Sequence, residues 1–211
     1  MPELECTELE FAELEVIADD LHTQGFSVCT NFIPGALVAG LMLELQHAAA
    51  EFRAAGIGRD QVFQRDAEVR SDRIRWLDAQ AAAQAEFLQT MAQLQQRLNQ
   101  RLLLGLADYE AHFAQYAPNA FYRRHRDTFV VRDGDRKPRR IVSSVIYLNN
   151  DWHRDDGGEL VIYDAGDSEL IRVLPQAGSA VFFLSEEFPH EVLPARRERY
   201  SIAGWFRRRG G

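Results

Sequence analysis

The spacing of apolar residues changes after Leu106, and this change constrains the fold more than any other feature of the chain. Upstream the spacing is helical. Phe11, Leu14, Ala18 and Leu21 make one stripe. Leu37, Leu41, Leu45, Ala48 and Phe52, opened by Pro34, make a second that runs to near Gly56. Phe87, Met91, Leu94, Leu98 and Leu102 make a third, on a helix starting at Asp78. Thr7 and Glu10 have the spacing of a capping box, and Gly25 suits a C-cap ahead of a short strand, FSVC. Downstream, strand-like runs occupy about 109–117, 121–131, 139–148, 158–164, 169–174, 179–184 and 199–206, separated by Gly, Asp, Asn and Pro. Helices followed by many short strands predict a mainly β fold, an antiparallel core with supporting helices on one face.

With 211 residues and ordinary globular composition, one domain spanning 1–211 is expected. Residues 1–106 supply mainly helical support and 107–206 the β core. Residues 57–75 are polar with few core anchors, and such long connections are usually functional or mobile. No apolar run is long enough to span a bilayer, and MPELECTELE lacks the basic and apolar regions of a secretory signal. Cys6 and Cys29 show no metal spacing, so two reduced thiols in a cytoplasmic protein are expected. The net charge of −8 argues against a nucleic-acid partner, and clusters such as RKPRR at 136–140 are expected to be solvated. Charge is uneven: residues 1–52 hold ten acids and no Lys or Arg.

YRRHRDTFVV, residues 122–131, places His125 two residues before Asp127. On a strand the two side chains share a face, which suits either two ligands of a metal site or a surface ion pair on an edge strand. A two-histidine, one-carboxylate site needs a further histidine and leaves three coordination positions open. His22 and His47 fall on helices, and His112 has no carboxylate at the right offset. A second HRD, at His153 and Asp155, sits in NNDWHRDDGGEL, which is turn chemistry throughout. His190 follows the apolar strand AVFFL; alone, a histidine after a loop proline suits a structural role as well as a ligand. Arg199 and Ser201 then open the last strand.

Together, H-x-D, four strands, H and R-x-S resemble the iron(II)- and 2-oxoglutarate-dependent oxygenases, whose core is a double-stranded β-helix or jelly roll. In that family four strands separate the H-x-D from the distal histidine; four fit between Asp127 and His190, but only three after Asp155. HFAQYAPNAFYRRHRD, RRIVSSVIYLNNDW, DDGGELVIY and FPHEVLPARRERYSIAGWF resemble stretches of the prolyl hydroxylases that modify hypoxia-inducible factor, over roughly residues 25–206. The chain most resembles the bacterial, pseudomonad-like members. The resemblance implies that His125, Asp127 and His190 are catalytic iron ligands. It places Arg199 and Tyr147 on the distal carboxylate of 2-oxoglutarate, with Tyr116 and Trp205 lining the same pocket. It makes 57–75 a loop closing over a peptide, and assigns substrate contacts to Arg140 and to Asp72 in RSDRIRWLD. The loop differs in sequence from the family's, so peptide specificity does not carry over.

The implied reaction hydroxylates a prolyl residue while 2-oxoglutarate and O₂ yield succinate and CO₂, with ascorbate as reductant. A protein substrate, elongation factor Tu as candidate, and a monomeric state complete the expectation. Chemically the set is coherent. A guanidinium fork suits a buried carboxylate in a way lysine does not, and Tyr147 shares a face with Ile141, Ser143 and Val145. Hydroxylation of a free amino acid or other small molecule is the alternative within enzymes. From another class comes a non-catalytic jelly-roll metal- or ligand-binding module, which needs no Arg199–Tyr147 anchor. A nucleic-acid dealkylase of the superfamily fits less well, because Trp205 stands where that branch carries a second arginine.

Overall fold

The structure, a computed structural model, describes residues 11–56, 69–128 and 138–210. Three helices form where the helical stripes fall. Helix α1 (Phe11–Thr23) buries Leu14, Ile17, Ala18 and Leu21. Helix α2 (Gly35–His47) follows Pro34 and buries Leu37, Val38, Leu41 and Leu45. Helix α3 (Ala82–Leu102) buries Phe87, Met91, Leu94 and Leu98. The second helix is shorter than its stripe predicts: a 3-10 turn at Ala49–Glu51 interrupts it, although Phe52 is still buried. The third starts at Ala82 rather than Asp78, because its first amides are capped from elsewhere. Glu44 of α2 accepts from Ala83 N at 2.8 Å and Gln84 N at 3.2 Å, placing a carboxylate at the positive end of α3. Thr7 and Glu10 lie outside the described residues.

Eleven strands are described: β1 (Phe26–Cys29), β2 (Arg53–Ala54), β3 (Arg73–Trp76), β4 (Leu106–Tyr116), β5 (Tyr122–His125), β6 (Arg139–Tyr147), β7 (Leu160–Tyr163), β8 (Glu169–Val173), β9 (Ala180–Leu184), β10 (His190–Val192) and β11 (Arg199–Arg208). Seven make an antiparallel sheet in the order β1-β9-β6-β11-β4-β3-β2; four make a second, β5-β10-β7-β8. Among the described residues no helix is long and apolar enough to cross a membrane.

Strand alternation divides the larger sheet into two faces. Phe113, Val142, Ile146, Ala180, Phe182, Ile202 and Phe206 pack against the helices. Their neighbours Ala114, Tyr116, Tyr147, Val181 and Phe183 point the other way, into a core shared with Leu160, Ile162, Val173 and Val192 of the smaller sheet. Every inner-face position of β4, β6 and β11 is therefore presented to the space between the sheets. The functional residues come from there.

Two expectations change. The strand expected over 121–131 ends at His125, and Asp127 lies in a bend beyond it, so strand alternation does not bring the two side chains together. Residues 129–131 lie outside the described residues, as do 57–68 of the expected loop. The end of that loop is sheet: Arg73–Trp76 pair with β4 in register, Ile74 opposite Ala114 and Trp76 opposite His112.

Candidate active site

His125 closes β5 and His190 opens β10, and antiparallel pairing sets them directly opposite each other. Their ring centroids are 4.3 Å apart. Asp127 reaches back from its bend to lie between them, Oδ1 at 3.5 Å from His125 Nε2 and Oδ2 at 3.6 Å from His190 Nε2. One donor atom from each of the three lies within 4.8 Å of the others, a group that can hold a metal ion. The outer ring nitrogens are held by backbone: His125 Nδ1 meets Arg123 O at 2.9 Å and His190 Nδ1 meets Phe188 O at 3.1 Å. Donating there leaves each Nε2 lone pair free to bind a metal. Burial pushes His190 down to about 4, so its imidazole is neutral at neutral pH. Burial opposes the charge on Asp127, yet His190, His125 and Arg140 together hold it well below the usual carboxylate range. A neutral imidazole and an ionised carboxylate are the states a cation requires.

Arg199 enters from β11 opposite Tyr116 and is 1% exposed. Its Nε donates to Gly158 O at 2.9 Å and its Nη1 to Ser201 Oγ at 3.2 Å. Gly158 permits this approach: its φ is +75°, and a Cβ there would meet Ala195 at 2.9 Å and the Arg199 side chain at 3.2 Å. Arg199 Nη2 has no partner, and neither does the hydroxyl of fully buried Tyr147, whose ring centroid is 5.2 Å from the Arg199 Cζ. Burial pushes the Tyr147 phenol up to about 12, keeping it a donor. Two orphaned donors and a cation in one dry corner leave a place for an anion with two acceptor oxygens. The 2-oxoglutarate carboxylate fits that place, and two imidazoles with one carboxylate fit ferrous iron.

A cavity of about 270 Å³ joins the two halves; the triad, Arg199, Tyr116 and Trp205 all line it. Trp205 is 8% exposed, its indole N–H has no partner, and the Arg140 guanidinium stacks 3.4 Å from its ring centroid. Arg140 also faces the cavity while paired with Glu110 at 3.2 Å. Asp72 does not line the cavity. It is buried behind Arg70 and grips it with two hydrogen bonds, 2.8 and 2.6 Å, and Arg70 is the residue that faces inward. His153 lies apart on an exposed turn, its N–H donating to Asp156 Oδ2 at 2.9 Å, in keeping with its turn-rich surroundings.

Sequence reasoning missed Arg70, Tyr122, Ser143 and His112. Arg70 stacks 4.3 Å over the Tyr122 ring, which in turn stacks on His125 at 3.6 Å. Ser143 donates to Asp127 Oδ2 at 2.7 Å. His112 forms cavity wall between Trp76 and Trp205. Its signal was available, since 112, 114 and 116 share one face of β4.

Residues 111–207 match the family model described as the 2OG-Fe(II) oxygenase superfamily. A Pseudomonas putida prolyl-4-hydroxylase crystal structure is 47% identical, with a TM-score of 0.81, covering 93% of this chain and 100% of that one. The chain belongs to the 2OG-Fe(II) oxygenases. Enzymes of this family use Fe(II), 2-oxoglutarate and O₂ around a double-stranded β-helix, and the two facing sheets are that core. Human prolyl hydroxylase EGLN3 is 29% identical over 94% of this chain and 85% of its own length. A Trichoplax adhaerens prolyl hydroxylase, solved with a hypoxia-inducible-factor peptide fragment, shares the fold at 24% identity and a TM-score of 0.81. This oxygenase is thus a dioxygenase of the prolyl hydroxylase group.

Proposed function

We propose that this oxygenase hydroxylates a prolyl residue in a protein substrate, consuming O₂ and decarboxylating 2-oxoglutarate to succinate and CO₂. The observation that carries the reading is one cavity lined by both a two-histidine, one-carboxylate cluster and the buried Arg199 guanidinium, whose unpaired nitrogen lies near the unpaired phenol of Tyr147 behind the lining. His125, Asp127 and His190 would hold the iron, which when bound would supply O₂ activation for oxidation of a substrate C–H bond. Arg199 and Tyr147 bind the distal carboxylate of 2-oxoglutarate, the guanidinium supplying charge and the phenol a directed proton. Arg199 lines the same cavity as the triad, so a cosubstrate held there would have its other end directed toward the triad. Tyr116 lies against Arg199, its ring centroid 4.9 Å from Cζ, and seals that corner from water. Trp205, Arg140 and Trp76 form the outer wall, where a peptide segment would lie; Asp72 contributes by fixing Arg70 rather than by direct contact. Ascorbate serves as reductant, and the setting is cytoplasmic.

Elongation factor Tu is the candidate substrate suggested by resemblance to bacterial prolyl hydroxylases. The test is mass spectrometry of a bacterial lysate incubated with the protein, Fe(II), ascorbate and 2-oxoglutarate, with His125→Ala as control. A prolyl peptide gaining one oxygen with the wild type alone is expected. Steady succinate without any modified peptide would move the target to a small molecule such as a free amino acid. Absence of both products would overturn the reading.

A further inference from the structure

We propose that Ser143 and Ser185 form a directional hydrogen-bond chain that makes Asp127 a one-oxygen ligand and thereby keeps three metal positions open. The inference rests on the reading that His125, Asp127 and His190 hold a divalent metal. Ser143 lies on β6 and is 1% exposed; Ser185 follows β9 and is fully buried. Their hydroxyl oxygens are 2.9 Å apart, and Ser143 Oγ is 2.7 Å from Asp127 Oδ2. An ionised carboxylate only accepts, so the single proton of Ser143 is committed to Asp127. Ser143 must then accept from Ser185. The direction of both bonds is therefore set by the charge on Asp127.

The chain is anchored where Asp127 is not. Ser143 pairs with Phe183 within the sheet, and Ser185 N donates to Ile141 O at 3.0 Å. Asp127 stands in a bend after β5. Its two oxygens are almost equally placed, 3.5 Å from His125 Nε2 and 3.6 Å from His190 Nε2, so the histidines alone do not select between them. Ser143 does, by engaging Oδ2 and leaving Oδ1 for the metal. Chelation through both oxygens would consume one of the three positions that two cosubstrate oxygens and O₂ require. The remaining inner-face residues of β6 after Ser143, Val145 and Tyr147, pack in the apolar core between the sheets. Ser143, in that row, and Ser185, beside it after β9, form a buried hydroxyl pair that has the Asp127 carboxylate as its outlet.

The test uses the full chain loaded with Mn(II) in the absence of oxygen, with Ser143→Ala, Ser143→Thr and Ser185→Ala variants. Water-proton relaxation by bound Mn(II) counts exchangeable positions, and a competition titration gives 2-oxoglutarate affinity. In Ser143→Ala the relaxation should fall by roughly a third, as three open positions become two. Mn(II) affinity should weaken by about 10- to 100-fold, the usual cost of losing such an outer partner, and 2-oxoglutarate binding at saturating Mn(II) should weaken with the lost position. Ser143→Thr, which keeps the hydroxyl, should restore these, and Ser185→Ala should fall between. If Ser143→Ala does not fold, Ser185→Ala carries the same comparison. Wild-type relaxation and affinity in the alanine variants would overturn the chain while leaving the triad standing. Failure of the wild type to bind Mn(II) would overturn the triad reading and this inference together.

Discussion

Arg199 shows how one residue's role depends on which of its nitrogens are already engaged. Nε and Nη1 are satisfied by Gly158 and Ser201, which hold the plane of the fork, and Nη2 is left for a ligand. A lysine keeps the charge but loses the two bonds that aim it. Arg199→Lys should therefore weaken 2-oxoglutarate binding about 10- to 100-fold, the loss of one charge-assisted bond, with little change in metal affinity. Calorimetric titration of the Mn(II) form checks this; unchanged cosubstrate affinity would remove Arg199 from the site. His112 makes a second prediction. Burial, with Arg70 and Arg140 nearby, pushes it down to about 4, while Asp72 and the Phe113 carbonyl pull the other way. The unfolded chain's imidazole titrates near 6.5, so between about pH 6.5 and 4 the unfolded state binds a proton that the folded state does not. Its stability contribution is full above that window and is lost as pH falls through it. His112→Gln should flatten the pH dependence of urea unfolding there, and an unchanged slope would count against a buried neutral His112. The triad and Arg199 were reached in the sequence through the family resemblance, because H-x-D, a distal His and R-x-S fall in that family's order with four strands between; the residues alone left a surface ion pair and a structural His190 open. Ser143 and Arg70 were not, since a serine in an apolar row or an arginine beside an aspartate looks ordinary until the partner is in view; His112 was passed over although it shares a face of β4 with Tyr116.

Elements were legible in proportion to their apolar content. Each long helix announced itself through a stripe of buried residues, and each inner strand through alternation. β3, Arg73–Trp76, escaped because it carries two arginines and only one aliphatic residue; neighbouring β4, not its own pattern, makes it a strand. β10 has three residues, too few for any period, and exists because β5 and β7 flank it. The start of α3 was misplaced for a related reason: no residue of its own caps it, and the acceptor comes from Glu44, about forty positions earlier. Glu44 also accepts from the buried Gln84 amide at 3.1 Å. Glu44→Ala should cost about 1–2 kcal/mol, lowering the melting temperature by several degrees, because those donors lose their partner on burial. Glu44→Gln should recover part of the loss, retaining an acceptor oxygen but not the charge at the helix end. Equal melting of wild type and Glu44→Ala would show that water replaces the carboxylate.

On the scale of the molecule, the helices and the chemistry lie on opposite faces of the larger sheet. In α1, Glu15 pairs with Arg97 and Arg101 of α3, and Asp19 pairs with Arg101 at 2.7 Å. Those charges stay on the outer layer. Between the sheets, the paired strands β5 and β10 set His125 opposite His190, with Asp127 reaching in from the bend after β5, and β4 and β11 bring Tyr116 and Arg199 to the same cavity, so a ligand held by both groups would bridge the two sheets. Anything that binds this folded arrangement and not the open chain raises stability by mass action, about 2.7 kcal/mol at a hundred times its dissociation constant. For a chain of this size that is roughly 5–10 °C in melting temperature. If the cosubstrate needs both the metal and Arg199, 2-oxoglutarate should raise the melting temperature only after Mn(II) is added. In His125→Ala the metal shift should vanish, and most of the cosubstrate shift with it. A full shift from 2-oxoglutarate without metal would assign its binding to Arg199 and Tyr147 alone. The smaller sheet would then contribute the metal but not the cosubstrate site.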